Sequence, residues 1–299
     1  MTKSEVSLKG VFPPIPTPFD AEGEVAHQAL AENLERWNQY DLAGYVVLGS
    51  NGEAVYLTEE EKVGVWKTAR AAIPSTKLMI AGAGCESTAQ TIALTRKAAD
   101  AGADAVLLVT PHYYAGKMTR ASLLHHYQSV AETSPVPVMI YNVPKFTNVD
   151  VDAVTVGQAS RYPNIIGVKD SSGNIAKLAD IVRLASPGFQ VLAGTGGFFF
   201  AGLSLGAVGG ILALANVAPE ESITIQRLYN TGQWSEAAEL QRRMLPVNAA
   251  VTAVYGIPGL KAALDMLGYY GGPVRSPLLS VSDDDRQKVQ RILTDAGIL

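Results

Sequence analysis

Cysteine is almost absent from this chain, because Cys85 is the only one among 299 residues. An intrachain disulfide is therefore impossible, which is typical of proteins from a reducing compartment. Charged residues make up only 17% of the sequence, against 47% hydrophobic residues, so a large core is expected and disorder is not. The net charge of −4 leaves no basic excess for binding nucleic acid or an anionic membrane surface.

Long apolar segments are missing as well. No uninterrupted apolar run reaches the roughly 18 residues of a membrane span. The first ten residues contain Lys3, Glu5 and Lys9 without an apolar run, so they do not resemble a secretory leader. We therefore expect a cytoplasmic protein.

What the sequence has instead is a series of short apolar runs, typical of parallel strands that are covered on both faces. Successive runs lie roughly 20 to 30 residues apart, the length of one strand–helix unit. Eight such units predict an α/β fold, a (β/α)8 TIM barrel. The predicted strands are residues 11–15, 45–48, 78–81, 105–109, 138–141, 165–169, 190–193 and 208–212.

Helix signals lie between the runs and continue after them. Thr58 with Glu61 has the pattern of a capping box, and Ser87 and Thr119 each precede a helical segment. We predict a barrel over residues 1–231 and a C-terminal helical extension over residues 232–299, packed on the barrel through Trp234, Leu245 and the loop 268–273. The alternative is an open doubly wound sheet, but its G-x-G-x-x-G turn is missing. Beyond the last strand the predicted helices are residues 220–230, 235–252, 259–266 and 283–296.

Polar residues and glycines collect where the predicted strands end, which is where parallel barrels carry their chemistry. The Gly49–Gly52 turn is either an ordinary turn or an anion cradle of backbone N–H groups. Three histidines have no cysteine or carboxylate at ligand spacing, so no metal site is predicted. The strand ends carry Gly49-Ser50-Asn51-Gly52-Glu53, His112-Tyr113-Tyr114, Tyr141-Asn142, Lys169 and Gly194-Thr195.

Lys169 is the most informative of these residues. A single lysine after a strand usually reaches solvent or pairs with a neighbouring carboxylate, here Asp170. Its neutral amine is also a nucleophile for carbonyl groups. With a tyrosine hydroxyl on the adjacent strand and a carboxylate cradle, the set suits a 2-oxo acid such as pyruvate, which would form an imine with the lysine. Because the protonated imine withdraws electrons itself, no cofactor is expected.

At these residues the chain resembles the dihydrodipicolinate synthase / N-acetylneuraminate lyase family of class I aldolases over nearly its whole length. The resemblance implies that Lys169 forms the imine, that Tyr141 shuttles protons and that Tyr113 reaches the site of a neighbouring subunit. It therefore also implies a homo-oligomer, a dimer or a homotetramer. The matching motifs are Gly49-Ser50-Asn51-Gly52-Glu53, Tyr141-Asn142-Val143-Pro144, Gly167-Val168-Lys169-Asp170-Ser171 and Ala215-Asn216-Val217.

The same resemblance implies a substrate-binding set around the lysine. Ser50 and Asn51 would bind the pyruvyl carboxylate, and the carbonyl of Ile211 would form the pocket floor. Ser171 and Gly194 are also expected to contact the substrate.

Departures from the family motifs bear on the second substrate. Phe146 stands where dihydrodipicolinate synthases carry an arginine, and a phenyl ring cannot replace a bidentate carboxylate fork. The stretch 195–200 has few polar groups for the long tail that sialic-acid lyases hold. The motifs resemble more closely the 4-hydroxy-2-oxoglutarate aldolase branch, which implies cleavage of that compound to pyruvate and glyoxylate.

Alternatives stay open from the sequence alone. One is an aldolase for 2-keto-3-deoxy sugar acids, and another is condensation of the dihydrodipicolinate synthase type. A different class of function is a barrel that binds 2-oxo acids without catalysis. Retention of Lys169, Tyr141 and Tyr113 together argues against that last reading.

Overall fold

The computed structural model describes residues 6–299 and is a closed parallel barrel surrounded by helices. Within that range one nine-stranded sheet runs in the order β1-β9-β8-β7-β6-β5-β4-β3-β2, with every pair parallel. The strands are β1 (Gly10–Phe12), β2 (Pro14–Ile15), β3 (Gly44–Val47), β4 (Leu78–Gly82), β5 (Ala105–Val109), β6 (Val138–Asn142), β7 (Ile165–Asp170), β8 (Gln190–Ala193) and β9 (Gly209–Ile211).

The first barrel strand is divided in two, and this division closes the sheet. β1 pairs with β9 and β2 pairs with β3, while Pro13 alone separates them. Pro13 and Pro14 have no N–H to donate to a ladder, which accounts for the break. Counted as one strand, the pair makes an eight-stranded barrel, and the predicted fold class is confirmed.

Helices alternate with the strands and then continue beyond the barrel. The predicted starts at Thr58, Ser87 and Thr119 are confirmed, since each side chain accepts an N–H of the first turn of its helix. Among residues 6–299 no helix combines the length and apolar character needed to cross a membrane. Over that range the helices are α1 (His27–Trp37), α2 (Glu59–Ala72), α3 (Thr88–Asp100), α4 (Arg120–Thr133), α5 (Pro144–Thr147), α6 (Ala153–Ala159), α7 (Ile175–Leu184), α8 (Phe199–Ser204), α9 (Pro219–Asn230), α10 (Trp234–Ala249), α11 (Gly256–Met266) and α12 (Asp283–Asp295).

Apolar side chains form two separate clusters, as a barrel with an outer ring of helices requires. The larger cluster joins the outward-facing strand residues to the helices. The smaller one fills the barrel interior and includes Phe12, Met139, Ile166 and Tyr141. Tyr141 therefore faces the inside of the barrel, at the end where the strands finish.

The C-terminal helices contact the barrel differently from the prediction. The loop at 268–273 does reach it, because the Tyr270 hydroxyl donates to the Phe19 carbonyl over 3.0 Å. Trp234 and Leu245 are 61% and 41% exposed, and the indole N–H of Trp234 donates to the Tyr229 carbonyl near the end of α9. The residues that α10 buries include Met244 and Val247, so the two predicted residues are not the main packing residues of this helix. The domain boundary at residue 231 stays a prediction, and residues 1–5, with Lys3 and Glu5 of the leader argument, lie outside the described residues.

Candidate active site

Lys169 lies near the end of β7 and is almost fully buried, with 4% of its surface exposed. It does not pair with Asp170, whose carboxylate accepts from Lys177 Nζ at 3.0 Å and from Asn142 Nδ2 at 2.8 Å. Among residues 6–299 no carboxylate oxygen lies within 4.0 Å of the Lys169 amine. The two ordinary uses of a strand-end lysine, exposure and ion pairing, are therefore both absent in the described chain.

Tyr141 is the direct neighbour of Lys169 across the sheet. The two residues are paired in the register of β6 and β7, and Lys169 Nζ lies 4.1 Å from the centre of the tyrosine ring. The Tyr141 hydroxyl is 3.2 Å from Ser50 Oγ, and either oxygen can be the donor. Two hydroxyl groups that share a hydrogen bond beside an amine can transfer a proton without free solvent.

The predicted cradle is a single 3-10 turn, Ser50–Gly52, which follows β3. The Thr17 hydroxyl donates to the Gly52 carbonyl over 2.7 Å and holds the turn against the first strand. The turn ends at Glu53, which has a left-handed backbone with φ of 52°. Left-handed residues other than glycine are uncommon and require support from their surroundings.

That support comes from the C-terminal helices. The Glu53 carboxylate is fully buried, with Lys261 Nζ of α11 at 2.7 Å and the backbone N–H of Arg275 at 2.8 Å. Burial lowers the pKa of Lys261, and the charge of Glu53 opposes that shift. The Ser50–Gly52 turn is thus held by a buried ion pair between Glu53 at its end and Lys261, more than 200 residues further along the chain.

A cavity of about 210 Å³ lies at this end of the barrel and brings five of the predicted residues together. The Ser171 hydroxyl donates to the Gly194 carbonyl over 3.2 Å within its wall. Gly194 has no room for a side chain, because a Cβ would lie 2.0 Å from Ser171 Oγ. The five predicted residues are Asn51, Tyr141, Lys169, Ser171 and Gly194.

A second cavity, of about 350 Å³, lies beside the first. Tyr141, Phe146 and Ile257 belong to the walls of both, and Ser50 lines only the second. The predicted site therefore spans the boundary between the cavities, with the Tyr141–Ser50 hydrogen bond crossing it.

Two predicted residues lie elsewhere. Ile211 is fully buried in β9 and is not among the residues that line either cavity. Tyr113 is 77% exposed, in a loop whose N–H groups at His112 and Tyr113 both donate to Glu86. An exposed tyrosine held on an ordered loop is available to a second subunit, which is the role predicted for Tyr113 and stays a prediction.

A polar layer lies behind the site, and its role was not predicted from the sequence. Asn142 Nδ2 donates to both Asp150 and Asp170, and Lys177 Nζ forms ion pairs with the same two carboxylates. Asn142 and Asp170 each follow a predicted catalytic residue, Tyr141 and Lys169 respectively. This position, directly after a predicted catalytic residue, was the feature of the sequence that could have identified both as part of the site. No group of three or more potential metal ligands occurs in the described range 6–299.

Comparison with known proteins agrees with this geometry. Residues 7–296 match the model of the dihydrodipicolinate synthetase family. A 4-hydroxy-tetrahydrodipicolinate synthase of Methanothrix thermoacetophila is 36% identical, with 96% of each chain covered. An uncharacterized DapA-like lyase of Halobacterium salinarum is 35% identical, over 98% of this chain and 96% of its own.

Solved structures extend the similarity to three dimensions. A chloride-inhibited dihydrodipicolinate synthase from Acinetobacter baumannii, crystallised with pyruvate, superposes with a TM-score of 0.93 at 30% identity. The superposition covers 98% of this chain and all of the other.

Proposed function

The chain belongs to the dihydrodipicolinate synthetase family of pyruvate-dependent class I aldolases and lyases, and from that premise we propose that Lys169 forms the imine with its 2-oxo acid substrate. The observation that carries this proposal is the environment of the amine. Lys169 is buried in a cavity wall, has no carboxylate partner in the described chain and lies against Tyr141. A lysine without a structural partner in such a place is available as a nucleophile.

The neighbouring residues suit the remaining roles. We infer that the turn of Ser50 and Asn51 binds the carboxylate at C1, and that Ser171 and Gly194 position the same end of the substrate. Tyr141 then transfers protons, with Ser50 as its hydrogen-bond partner.

For cleavage, the steps follow from these positions. The Lys169 amine attacks the C2 ketone and water leaves, which gives the protonated imine. Tyr141 accepts the proton of the 4-hydroxyl group as its own proton moves to Ser50 and the serine proton moves to solvent, from which a proton later returns to C3. The C3–C4 bond breaks, its electron pair flows toward the imine nitrogen, and an aldehyde leaves. Protonation of the enamine at C3 and addition of water to the imine release pyruvate and restore the lysine.

The second substrate depends on the outer part of the site. Phe146 belongs to the walls of both cavities, and neither wall includes an arginine among the described residues. Because the arginine of dihydrodipicolinate synthases is missing and the sequence motifs resemble the 4-hydroxy-2-oxoglutarate aldolase branch, we propose cleavage of 4-hydroxy-2-oxoglutarate to pyruvate and glyoxylate. The second candidate is condensation of the dihydrodipicolinate synthase type, which the names of the relatives favour over cleavage. Sugar-acid cleavage is third, because the wall after β8 offers few polar groups.

Borohydride trapping tests the imine. Incubation with pyruvate and borohydride should add one pyruvyl group to the chain, and Lys169→Ala should abolish the addition. The matched control is Lys117→Ala, an exposed lysine that lies outside both cavities. Tyr141→Phe should still be trapped but should turn over about 100-fold to 10,000-fold more slowly, the usual range for losing a general acid–base group. Trapping that persists in Lys169→Ala would contradict the assignment.

A comparison of substrates tests the reaction. We expect faster turnover of 4-hydroxy-2-oxoglutarate than of pyruvate with aspartate semialdehyde. The reverse order would show that Phe146 has been misread, and the synthase-type reaction would replace the cleavage. Much faster cleavage of a 2-keto-3-deoxy hexonate would favour the sugar-acid reaction instead. Binding of pyruvate without turnover of any of the three would indicate a non-catalytic barrel.

A further inference from the structure

We propose that Lys145 is the specificity-determining cation that binds the second, distal carboxylate of a dicarboxylic 2-oxo acid. This inference rests on the proposed function, since it concerns the far end of the substrate held by Lys169. It applies equally to cleavage and to condensation, because in both the carbon chain beyond the imine ends in a carboxylate.

The cavity around Lys169 contains one further cationic side chain among the described residues of its wall, and that side chain is Lys145. Lys145 belongs to α5, the four-residue helix directly after the strand that carries Tyr141. Its Nζ donates to the Thr252 carbonyl over 3.2 Å, and within residues 6–299 no carboxylate oxygen lies within 4.0 Å of it. An exposed lysine with only a neutral partner has unused capacity for an anion.

The hydrogen bond of Lys145 joins two parts of the cavity wall. Thr252 lies in a π-helical turn, Ala250–Val254, between α10 and α11. Val251, Thr252 and Ala253 of this turn all line the cavity, as does Lys145. Turns of this type occur frequently at functional sites. The amine is therefore held beside the cavity by a segment that itself forms part of the wall.

The number of charges on the substrate indicates why a further cation is needed at the position of Lys145. A dicarboxylic 2-oxo acid brings two negative charges, and the turn of Ser50 and Asn51 accounts for one. The positive charge of the Lys169 imine is fixed at C2, away from the distal carboxylate, and Phe146 next to Lys145 offers an apolar surface rather than a charge. A compact ammonium on a flexible stem can leave the Thr252 carbonyl for a carboxylate without a fixed fork.

Lys62 is the competing cation, because it lines the neighbouring cavity that shares Tyr141 and Phe146. It does not line the cavity of Lys169, whereas Lys145 does, so Lys145 is the cation that shares a cavity with the imine-forming amine. The two lysines can be separated by substitution.

The test compares two ligands of equal length that differ only at the distal end, 2-oxoglutarate and 2-oxopentanoate. Half-saturating concentrations for borohydride trapping are measured for each, so no turnover is needed. In the unmodified protein 2-oxoglutarate should be trapped at the lower concentration. Lys145→Gln should reduce that preference about tenfold, the low end of a charged hydrogen bond because the amine is exposed. Lys145→Arg should retain most of it, and added salt should weaken it.

Three results would overturn the proposal. An unchanged preference in Lys145→Gln would show that this amine does not contact the ligand. An equal loss for both ligands would indicate a structural role for the residue. Loss of the preference in Lys62→Gln instead would transfer the role to the other cavity. Failure of the unmodified protein to trap pyruvate is a different outcome, which would refute the proposed function.

Discussion

Breaking the fully buried ion pair between Glu53 and Lys261 should cost the fold a large amount of unfolding free energy. We consider Lys261→Met, which keeps the unbranched stem but for its last atom and removes the charge. The two groups are 2.7 Å apart with the Glu53 and Lys261 side chains 0% and 1% exposed, so the variant would leave a fully buried carboxylate without its cationic partner. Removing one partner of such a pair typically costs about 3 to 5 kcal/mol of unfolding free energy.

Lys261→Met would also remove two further contacts of the amine, while Glu53 would keep one partner, so we expect the loss of unfolding free energy to fall within that range. Its Nζ also donates to the Pro273 carbonyl over 2.7 Å and lies 4.4 Å from the centre of the Phe19 ring. Glu53 retains the N–H of Arg275, which satisfies part of its carboxylate. Since domains of ordinary stability unfold at about 5 to 15 kcal/mol, a loss of this size should be easy to measure.

The assay is urea unfolding at pH 7, with the midpoint and slope measured by circular dichroism. The matched control breaks an exposed pair, Asp180 with Arg183, whose side chains are 55% and 67% exposed. Arg183→Gln should cost less than about 1 kcal/mol. The double variant Glu53→Gln with Lys261→Met removes both charges and should recover most of the loss, because no buried charge is left alone.

A small loss of unfolding free energy in Lys261→Met would contradict the cost expected for an unpaired buried charge. If Lys261→Met cost no more than Arg183→Gln, the pair would not be energetically isolated from water. If the double variant were as unstable as the single one, the loss would come from packing of the lysine stem rather than from an unpaired charge. Both outcomes can be read from the same unfolding curves.

Two further predictions concern acid stability and assembly. Burial lowers the pKa of His126 to about 4, so between about pH 6.5 and pH 4 the unfolded chain binds a proton that the folded chain does not. Stability from this residue is present above pH 6.5 and lost as the pH falls. His126→Leu should flatten that part of the urea-midpoint profile, and exposed His125→Leu, which removes only a smaller electrostatic contribution to the lowered pKa, should flatten it much less. Tyr113, if it completes the partner's site, should show complementation: mixed oligomers of Tyr113→Phe and Lys169→Ala should be more active than either variant alone, whereas no recovery would place Tyr113 in its own subunit's site or outside catalysis.

The strands could be predicted from the sequence because each is a short, continuous apolar run between strong helix signals. The exception was the first strand, where two prolines remove two donors and split the run. The helices of the C-terminal region were located closely, but the buried face of α10 was not. Periodicity predicts a helix, and which of two mixed faces is covered depends on neighbours that the local sequence does not contain.

The site could be predicted in part for a similar reason. Strand-end residues share one rim, so Lys169, Tyr141 and the Ser50–Asn51 turn could be grouped from their order alone. The support of the turn by Lys261 and the contact of Lys145 with Thr252 join residues more than 100 positions apart. Such contacts depend on how the C-terminal helices return to the barrel, which no local pattern encodes.

The pairing of Tyr141 with Lys169 also depends on an irregularity that the sequence did not reveal. Val138 of β6 pairs with Ile165 of β7, and an unbroken register would then place Tyr141 beside Val168. The register instead shifts by one residue after Val138, so that Met139 pairs with Gly167 and Tyr141 with Lys169.

A shift of this kind changes which face of a strand a side chain occupies, because successive residues point to opposite faces. Gly167 is the first residue after the shift, and it has no room for a side chain because a Cβ there would lie 2.5 Å from the Gln190 carbonyl oxygen of β8. Ile166 and Val168 pack in the inner and the outer cluster respectively, so the strand keeps both sides of the barrel wall filled across the bulge. Lys169 therefore lies opposite Tyr141 because β7 gains one residue on β6 between Ile165 and Gly167.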